Sequence, residues 1–337
     1  MTAPKRARLL PKVELHAHLE GSIRPGTVVE LARANGVTLP VDDPTALYDF
    51  ADLDGFLAVY GVICASLRTA DDVRRVTYEA LQDAAAVGVR YREMFFSPSF
   101  LLAHGASLDT IWTGIRAGLA DAHADLDIRC RMILDFDKGA DVSAACSLVE
   151  FAAGQDRDLL VGIGGDSTER GVDHRTFKDA YDLARRHGLR RTMHAGEDGP
   201  AENVAIALEV LGCERIDHGV RAVDDADLMC RLGDAGVPLT VCPLSNVLIA
   251  RIVPDVAAHP FGRLHAAGVT VTINSDDPGM TATTIADDYE HVAAAFDYDL
   301  ATMAAFAMAS IEASWAPDDE KRALRTRFTG EIAALIA

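Results

Sequence analysis

No two of the six cysteines, Cys64, Cys130, Cys146, Cys213, Cys230 and Cys242, form a C-x-x-C pair. They read as buried or free thiols in a reducing compartment, not as a disulfide frame. No apolar run approaches the roughly 18 residues of a membrane span, so no membrane partner is expected. Behind Lys5, Arg6 and Arg8, the pair Leu9-Leu10 ends at once in Pro11. That leaves no apolar stretch for a signal peptide, and the cytoplasm is the expected compartment. Basic residues are outnumbered, 32 Lys and Arg against 51 Asp and Glu, for a formal charge of -19. Such a surface repels phosphate backbones and excludes nucleic acid as an expected partner. There are no repeats, no low-complexity stretch and no linker. The sequence gives no sign of oligomeric state.

What is present is ample apolar material, 49% of 337 residues, in a repeating order. Eight short strand candidates are Val13–His18, Tyr91–Ser97, Ile128–Phe136, Leu159–Gly164, Arg191–His194, Arg215–His218, Pro238–Cys242 and Val269–Asn274. Several are near-continuous apolar or β-branched runs, as expected for strands covered by helices on the outside. Helical stretches lie between most of them, among them Asp71–Val87, Leu108–Ala124, Phe177–His187, Val204–Leu211 and Asp225–Ala235. Repeated β-then-α order argues for a parallel sheet, and eight units argue for closure into a (β/α)8 TIM barrel. An open doubly wound sheet would want a Gly-rich phosphate turn after the first strand, and none is there. The whole chain, 1–337, reads as one barrel domain. A helical insertion occupies about 19–89, with candidates Pro25–Asn35, Asp54–Leu67 and Asp71–Val87. Terminal helices occupy about 281–337, with candidates Ile285–Phe296, Ala301–Ser314 and Pro317–Ile336. In the insertion, Phe50, Leu53, Phe56, Leu57 and Tyr60 read first as ordinary helix packing, with a wall over a site as the alternative.

Four strand ends carry chemistry. The first reads Leu15-His16-Ala17-His18, and alternation puts residues i and i+2 on one face, so both imidazoles can share a metal. Met193-His194-Ala195-Gly196-Glu197-Asp198, Ile216-Asp217-His218-Gly219 and Ile273-Asn274-Ser275-Asp276-Asp277-Pro278 repeat the pattern: an apolar run, a polar residue, then a Gly or Pro. Active sites of such barrels lie at the C-terminal strand ends. His16, His18, His194 and Asp276 together make a zinc shell with room for a water. His218 is left to orient or deprotonate that water. Glu197 is an acid for the other side, or else a charge at the start of the helix after it. Asp277, diverging from Asp276, faces substrate. The fourth strand carries no lysine to bridge a second ion, so one zinc per chain is expected. The other histidines, His104, His123, His174, His187, His259, His265 and His291, read as satisfied surface residues.

With these motifs in hand, the chain resembles the adenosine deaminase family of metal-dependent barrel hydrolases from about Pro11 to Ser314. The likeness rests on H-x-H, H-A-G-E, D-H-G, C-P-L-S-N at Cys242–Asn246 and S-D-D-P at Ser275–Pro278. The resemblance implies hydrolytic loss of ammonia from C6 of a 6-aminopurine. By it, His16, His18, His194 and Asp276 bind zinc, Glu197 protonates purine N1, His218 assists the water and Asp277 bonds to N7. The Gly164-Gly165-Asp166 turn matches the family's substrate turn, so Gly165 would meet the purine through its backbone. Adenosine-specific members usually carry aspartate after H-x-H-Leu, where this chain has Glu20. That glutamate and the compact Gly196–Pro200 turn resemble the adenine-base members, whereas Ser275–Met280 looks more like the nucleoside members. The reading leans to adenine or an N6-substituted adenine. Adenosine or another nucleoside, another mononuclear amidohydrolase activity, and a non-catalytic purine-binding protein are the alternatives.

Overall fold

The computed structural model describes residues 2–41, 46–50 and 53–336, the side chains of 53 and 54 excepted. Its strands are β1 (Lys12–Glu14), β2 (Val89–Phe96), β3 (Arg129–Asp137), β4 (Leu160–Asp166), β5 (Arg190–Arg191), β6 (His194–Ala195), β7 (Ile216–His218), β8 (Leu239–Val241) and β9 (Val271–Ile273). They form two runs, β1 to β5 and β6 to β9, each with neighbours in sequence order. Every pairing is parallel. β5 and β6 are halves of one barrel strand, broken where the Thr192 N–H donates to Ile163 O at 3.0 Å and Met193 O accepts from Asp217 N–H at 2.9 Å. The last strand closes on the first through a parallel bridge, Ala17 to Asp276. There the His18 N–H donates to Asp276 O at 2.8 Å, and the Asp276 N–H to His16 O at 3.1 Å. On the other side His18 bridges to Phe95. The ring is therefore shut at the level of the two N-terminal histidines, and the fold is an α/β TIM barrel.

Helices cover the outside because their apolar faces match the strand runs. Ala70–Ala86 opens with a capping box in which the Thr69 side chain takes the Asp72 N–H and the Asp72 carboxylate takes the Thr69 N–H. Leu108–Asp125, Val142–Ala153 and Ala226–Ala235 are capped by Ser107, Asp141 and Asp225. Pro25–Ala34 and Leu53–Ala65 fill the space between β1 and β2, and Ile285–Ala295, Leu300–Ala313 and Asp318–Ile336 follow β9. Three short helices depart from the sequence expectation. Pro98–Ala103, Pro243–Leu248 and Pro278–Thr281 each start at a proline just past a strand end. Proline reads as a breaker, yet at the first helical position its missing N–H and fixed φ cost nothing. Each of these turns keeps the chain close to the barrel mouth.

The main core lies between strands and helices. A second, smaller cluster of Phe95, Ile133 and Val161, with Trp315 against it, comes from β2, β3 and β4. Phe95 touches both N-terminal histidines: its ring stacks on His18 at 5.0 Å and meets His16 edge-on at 5.0 Å. The metal-capable rings therefore rest on a rigid aromatic surface. No described helix is long and apolar enough to cross a membrane.

Candidate metal centre and active site

The four ligand candidates lie together. His16 Nε2 is 3.0 Å and His18 Nε2 3.3 Å from Asp276 Oδ1, and His18 Nε2 is 3.1 Å from His194 Nε2. All four are buried. Zinc bonds of about 2.0–2.1 Å in a tetrahedron give ligand–ligand edges of roughly 3.3–3.4 Å, so these spacings suit one ion. Two observations support the fit. His16 Nε2 is buried and, though 3.0 Å from Asp276 Oδ1, makes no well-aligned hydrogen bond to it. Six carboxyls, Asp135, Asp166, Asp217, Glu197, Asp276 and Asp277, gather at this end against one buried lysine, Lys138, and no described arginine lines the cavity. A divalent cation is what balances such a set.

Outer groups set the rings. Asp217 accepts from Thr192 Oγ1 at 2.6 Å and Thr240 Oγ1 at 2.8 Å, and Thr240 Oγ1 is 3.0 Å from His16 Nδ1. His194 Nδ1 is 3.7 Å from carboxylate oxygens of both Asp135 and Asp217. Ser245 Oγ donates to Asp276 Oδ2 at 2.5 Å, which leaves Oδ1 for the centre. Lys138 Nζ donates to the His194 carbonyl at 2.8 Å. Two glycines make room for carboxylates. A Cβ on Gly21 would fall 1.6 Å from Asp277 Oδ1, and one on Gly164 would fall 2.1 Å from Asp135 Oδ1.

A cavity of about 490 Å³, counting its open mouth, adjoins the ligands. His218, Glu197, Asp277, Asp166 and Ser167 supply its other polar lining, and Phe56, Leu57, Tyr60, Phe100 and Ile249 its apolar wall. So the insertion helix does wall the site, and the packing expectation for Phe56, Leu57 and Tyr60 was incomplete. The side chain of Leu53 lies outside the described residues. Six described non-glycine residues have positive φ, and three of them line this cavity: Ser167 at 69°, His218 at 59° and Asp276 at 66°. Left-handed backbone costs such residues on the order of 1–3 kcal/mol each and tends to collect at working sites.

Glu197 Oε2 is 3.6 Å from His218 Nε2, which is 3.9 Å from Asp276 Oδ2. Burial, with Asp276, Asp198 and Glu169 nearby, holds the Glu197 carboxyl well above its ordinary range. Burial and Asp276 do the same to Asp277, whose Oδ1 has no partner. Burial pushes His218 well below the usual imidazole range. Each of these groups is thus biased towards its neutral form.

Two substrate candidates sit elsewhere than expected. Glu20 is fully buried and does not line the cavity. Its Oε1 accepts from the Ser97 N–H at 3.0 Å and its Oε2 from Tyr60 OH at 3.0 Å. With both oxygens engaged, it cannot reach over the mouth; it fixes Tyr60, which forms the wall. Gly165 is buried inside β4, paired with Phe136, one residue short of the cavity. Its successors Asp166 and Ser167 border the space instead. His16, His18, His194, Glu197, His218, Asp276 and Asp277 are brought together as expected.

Sequence reasoning missed several members. Glu169 accepts from the N–H groups of Gly196 at 2.9 Å, Glu197 at 2.8 Å and Gly199 at 3.1 Å, and from Asn203 Nδ2 at 2.7 Å. It clamps the loop carrying Glu197. Asn246 touches both Glu197 and His218, and His259 touches Asn246. His259 and His174 are buried, not surface residues as expected: His259 is held by Asn246 and the Phe261 N–H, and His174 packs 3.9 Å from Glu169. Ser245 and Asn246 share the strand-end grammar of the other motifs and could have been found by it; Glu169 and His259 carry no such local signal.

The chain matches the Adenosine deaminase family over residues 11–330. It is 41% identical over 328 residues to an adenine deaminase of Streptomyces coelicolor, spanning 96% of this chain and 95% of that one. An adenine deaminase of Albidiferax ferrireducens is 39% identical, spanning 97% and 95%. Among solved structures, an adenine deaminase from Arthrobacter aurescens superimposes with a TM-score of 0.92 at 36% identity, covering 96% of this chain and 99% of that chain. A Burkhoderia ambifaria amidohydrolase with bound Zn gives 0.93 at 33% identity, covering 100% and 94%.

Proposed function

The chain belongs to the adenosine deaminase family, and from that premise we propose that it hydrolyses the 6-amino group of free adenine, using one zinc ion. The observation that carries the chemistry is the meeting of two sets of groups at one cavity. His16, His18, His194 and Asp276 converge on one point; Glu197 and His218 stand 3.6 Å apart beside it, with His218 Nε2 3.9 Å from Asp276 Oδ2. Those four residues would hold the zinc, which when bound would supply a Lewis acid and lower the pKa of a water there to about 7.

The remaining work belongs to the chain's own groups. Glu197, neutral because it is buried among acids, gives its proton to purine N1 as the water adds to C6. That proton neutralises the negative charge that addition would leave on N1 and so makes C6 more electrophilic. His218 holds the attacking water from the side opposite the ring. Asp277, also biased to its protonated form, donates to N7, an atom that can only accept. On collapse the Glu197 carboxylate takes the proton of the new C6 hydroxyl and hands it to the amino nitrogen, so the C6–N bond breaks and ammonia leaves as the C6 carbonyl forms. Phe56, Leu57, Tyr60 and Phe100 press on the flat base and exclude bulk water.

A fixed wall supports the free base as substrate. Tyr60 is pinned by Glu20, packs edge-on against Phe100 at 5.1 Å, and cannot swing away without leaving a buried carboxylate oxygen unpaired. Relatives of 36–41% identity are adenine deaminases by name. Ammonia release from adenine, N6-methyladenine, adenosine, deoxyadenosine and a cyclic amide, assayed in parallel, tests the proposal. The expected result is a kcat/KM for adenine at least about 10²-fold above that for adenosine, the range open to a site that rejects by unpaired polar groups. Preference for adenosine would overturn the substrate, and turnover of the cyclic amide alone would overturn the reaction.

A further inference from the structure

Beyond the ligands and the acid lies a buried relay that starts from a backbone group. The Phe261 N–H donates to His259 Nδ1 at 3.0 Å. A backbone N–H can only donate, so His259 Nδ1 must hold a lone pair. The ring is then neutral with its proton on Nε2; burial, which pushes this histidine down to about 4, agrees. His259 Nε2 lies 3.1 Å from Asn246 Oδ1, which therefore accepts. The amide can no longer flip, because the reverse orientation would set N–H against N–H. Its Nδ2 must point the other way, where it lies 3.2 Å from Glu197 Oε1 and 3.2 Å from His218 Nδ1.

We infer that Asn246 and His259 are positioning residues that lock His218 in a single tautomer, with the lone pair on Nδ1 and the proton on Nε2 towards the reacting centre. A doubly protonated ring would put Nδ1–H against the Asn246 N–H, and the other neutral tautomer would do the same. Nε2 is the nitrogen that faces Glu197 Oε2 at 3.6 Å and Asp276 Oδ2 at 3.9 Å. His218 therefore donates a hydrogen bond into the site. It orients the attacking oxygen by that bond and does not start as the base. The same amide occupies Glu197 Oε1, so the acid's proton belongs on Oε2, the oxygen that faces His218 Nε2. One side chain thus sets the hydrogen-bonding polarity of both groups beside the metal ligands. Asn246, on the helix Pro243–Leu248, and His259 both belong to the connection between β8 and β9, whereas His218 ends β7, so the lock exists only in the folded barrel.

The inference rests on the deaminase reading for the use made of His218, but its test does not. Nitrogen-15 NMR of histidine-labelled, zinc-loaded enzyme without substrate distinguishes a protonated ring nitrogen from one with a lone pair. The expected spectrum has His218 protonated at Nε2 only; a proton at Nδ1 in the wild-type enzyme overturns the inference. In Asn246→Asp the amide donor becomes an acceptor, and His218 is expected to move its proton to Nδ1. kcat should then fall at least about 10²-fold, given that a wrong tautomer costs up to about 10⁴-fold where an imidazole works at a reacting centre. In His259→Phe the amide loses its anchor, so His218 should show both tautomers, and His259→Gln, which keeps an N–H donor, should restore one. An unchanged His218 spectrum and kcat in His259→Phe would remove His259 from the relay. Should wild-type enzyme release no ammonia from adenine yet show the expected tautomer, the deaminase reading fails and the lock stands.

Discussion

The barrel buries two sets of charged groups, one at each end of its strands, and they are built on opposite rules. Towards the N-terminal ends, Glu14 faces Arg92 at 2.8 Å and Glu93 faces Arg215 at 2.5 Å. Tyr91 OH and the Trp315 N–H also donate to Glu93, and the Arg215 guanidinium lies 3.9 Å above the Trp315 ring. Each acid there has its own cation. At the C-terminal ends six carboxyls stand among imidazoles with the one lysine Lys138 beside them, and Ser167, His218 and Asp276 adopt left-handed backbone. The lower end is balanced within the protein. The upper end is left to be completed by an ion and a substrate, and part of its own charge is suppressed by burial. What distinguishes a working cluster from a structural one is this incompleteness, not its burial or its number of charges.

The sharpest way to break the comparison is to neutralise one group at the upper end. Glu197→Gln is expected to keep its zinc and its stability but lose about 10²–10⁴-fold in kcat, the range for a lost general acid. In the proposed mechanism Glu197 works while protonated, so kcat/KM should fall as pH rises through its raised pKa. Glutamine does not titrate, and the residual activity of the variant should lack that alkaline fall. Elemental analysis, a denaturation curve and a pH–rate profile check all three statements; loss of zinc from a folded variant would reassign Glu197 as a ligand.

The same operation at the lower end should do the reverse. Arg215→Met leaves Glu93 buried without its cation and is expected to cost about 3–5 kcal/mol of stability. Chemical denaturation measures it. The folded fraction should keep near-wild-type KM, because no atom of the pair lines the cavity. A large change in kcat with little change in stability would mean that the two ends are coupled.

The smallest effect belongs to the group between the two regimes. Glu20 is fully paired like a lower-end acid but lies beside the site, and it acts through Tyr60. Tyr60→Phe and Glu20→Asp should therefore have the same consequence: a drop of less than about tenfold in the adenine-to-adenosine ratio of kcat/KM, from loosening one hydrogen bond on the wall. Steady-state kinetics with both substrates decides it. If Glu20→Asp changes the ratio far more than Tyr60→Phe, Glu20 meets the substrate itself.

Much of this was legible in one dimension. Strand alternation brings His16 and His18 together, and the repeated strand-end pattern leads to His194, His218 and Asp276 without an alignment. The eight strands could be read because each is a short apolar run bounded by turn residues. The proline-led helices at the rim could not, since a proline ends one helix and begins another, and only the backbone path of the neighbouring residues separates the two cases. Glu20 and Gly165 were placed against the substrate because adjacency along the chain says which loop a residue is on, but not which way its side chain is claimed by neighbours.

The sequence by itself determined the strand order, the four metal-ligand candidates, and the acid and histidine beside them. Each of these is a local property, carried by periodicity and by residue type at a strand end. Only the tertiary structure decided the burial that neutralises Glu197, the hold of Glu169 on its loop, and the path from Phe261 through His259 and Asn246 to His218. Desolvation and hydrogen-bond polarity depend on what surrounds a group in space, and those surroundings come from segments that meet only when the barrel closes.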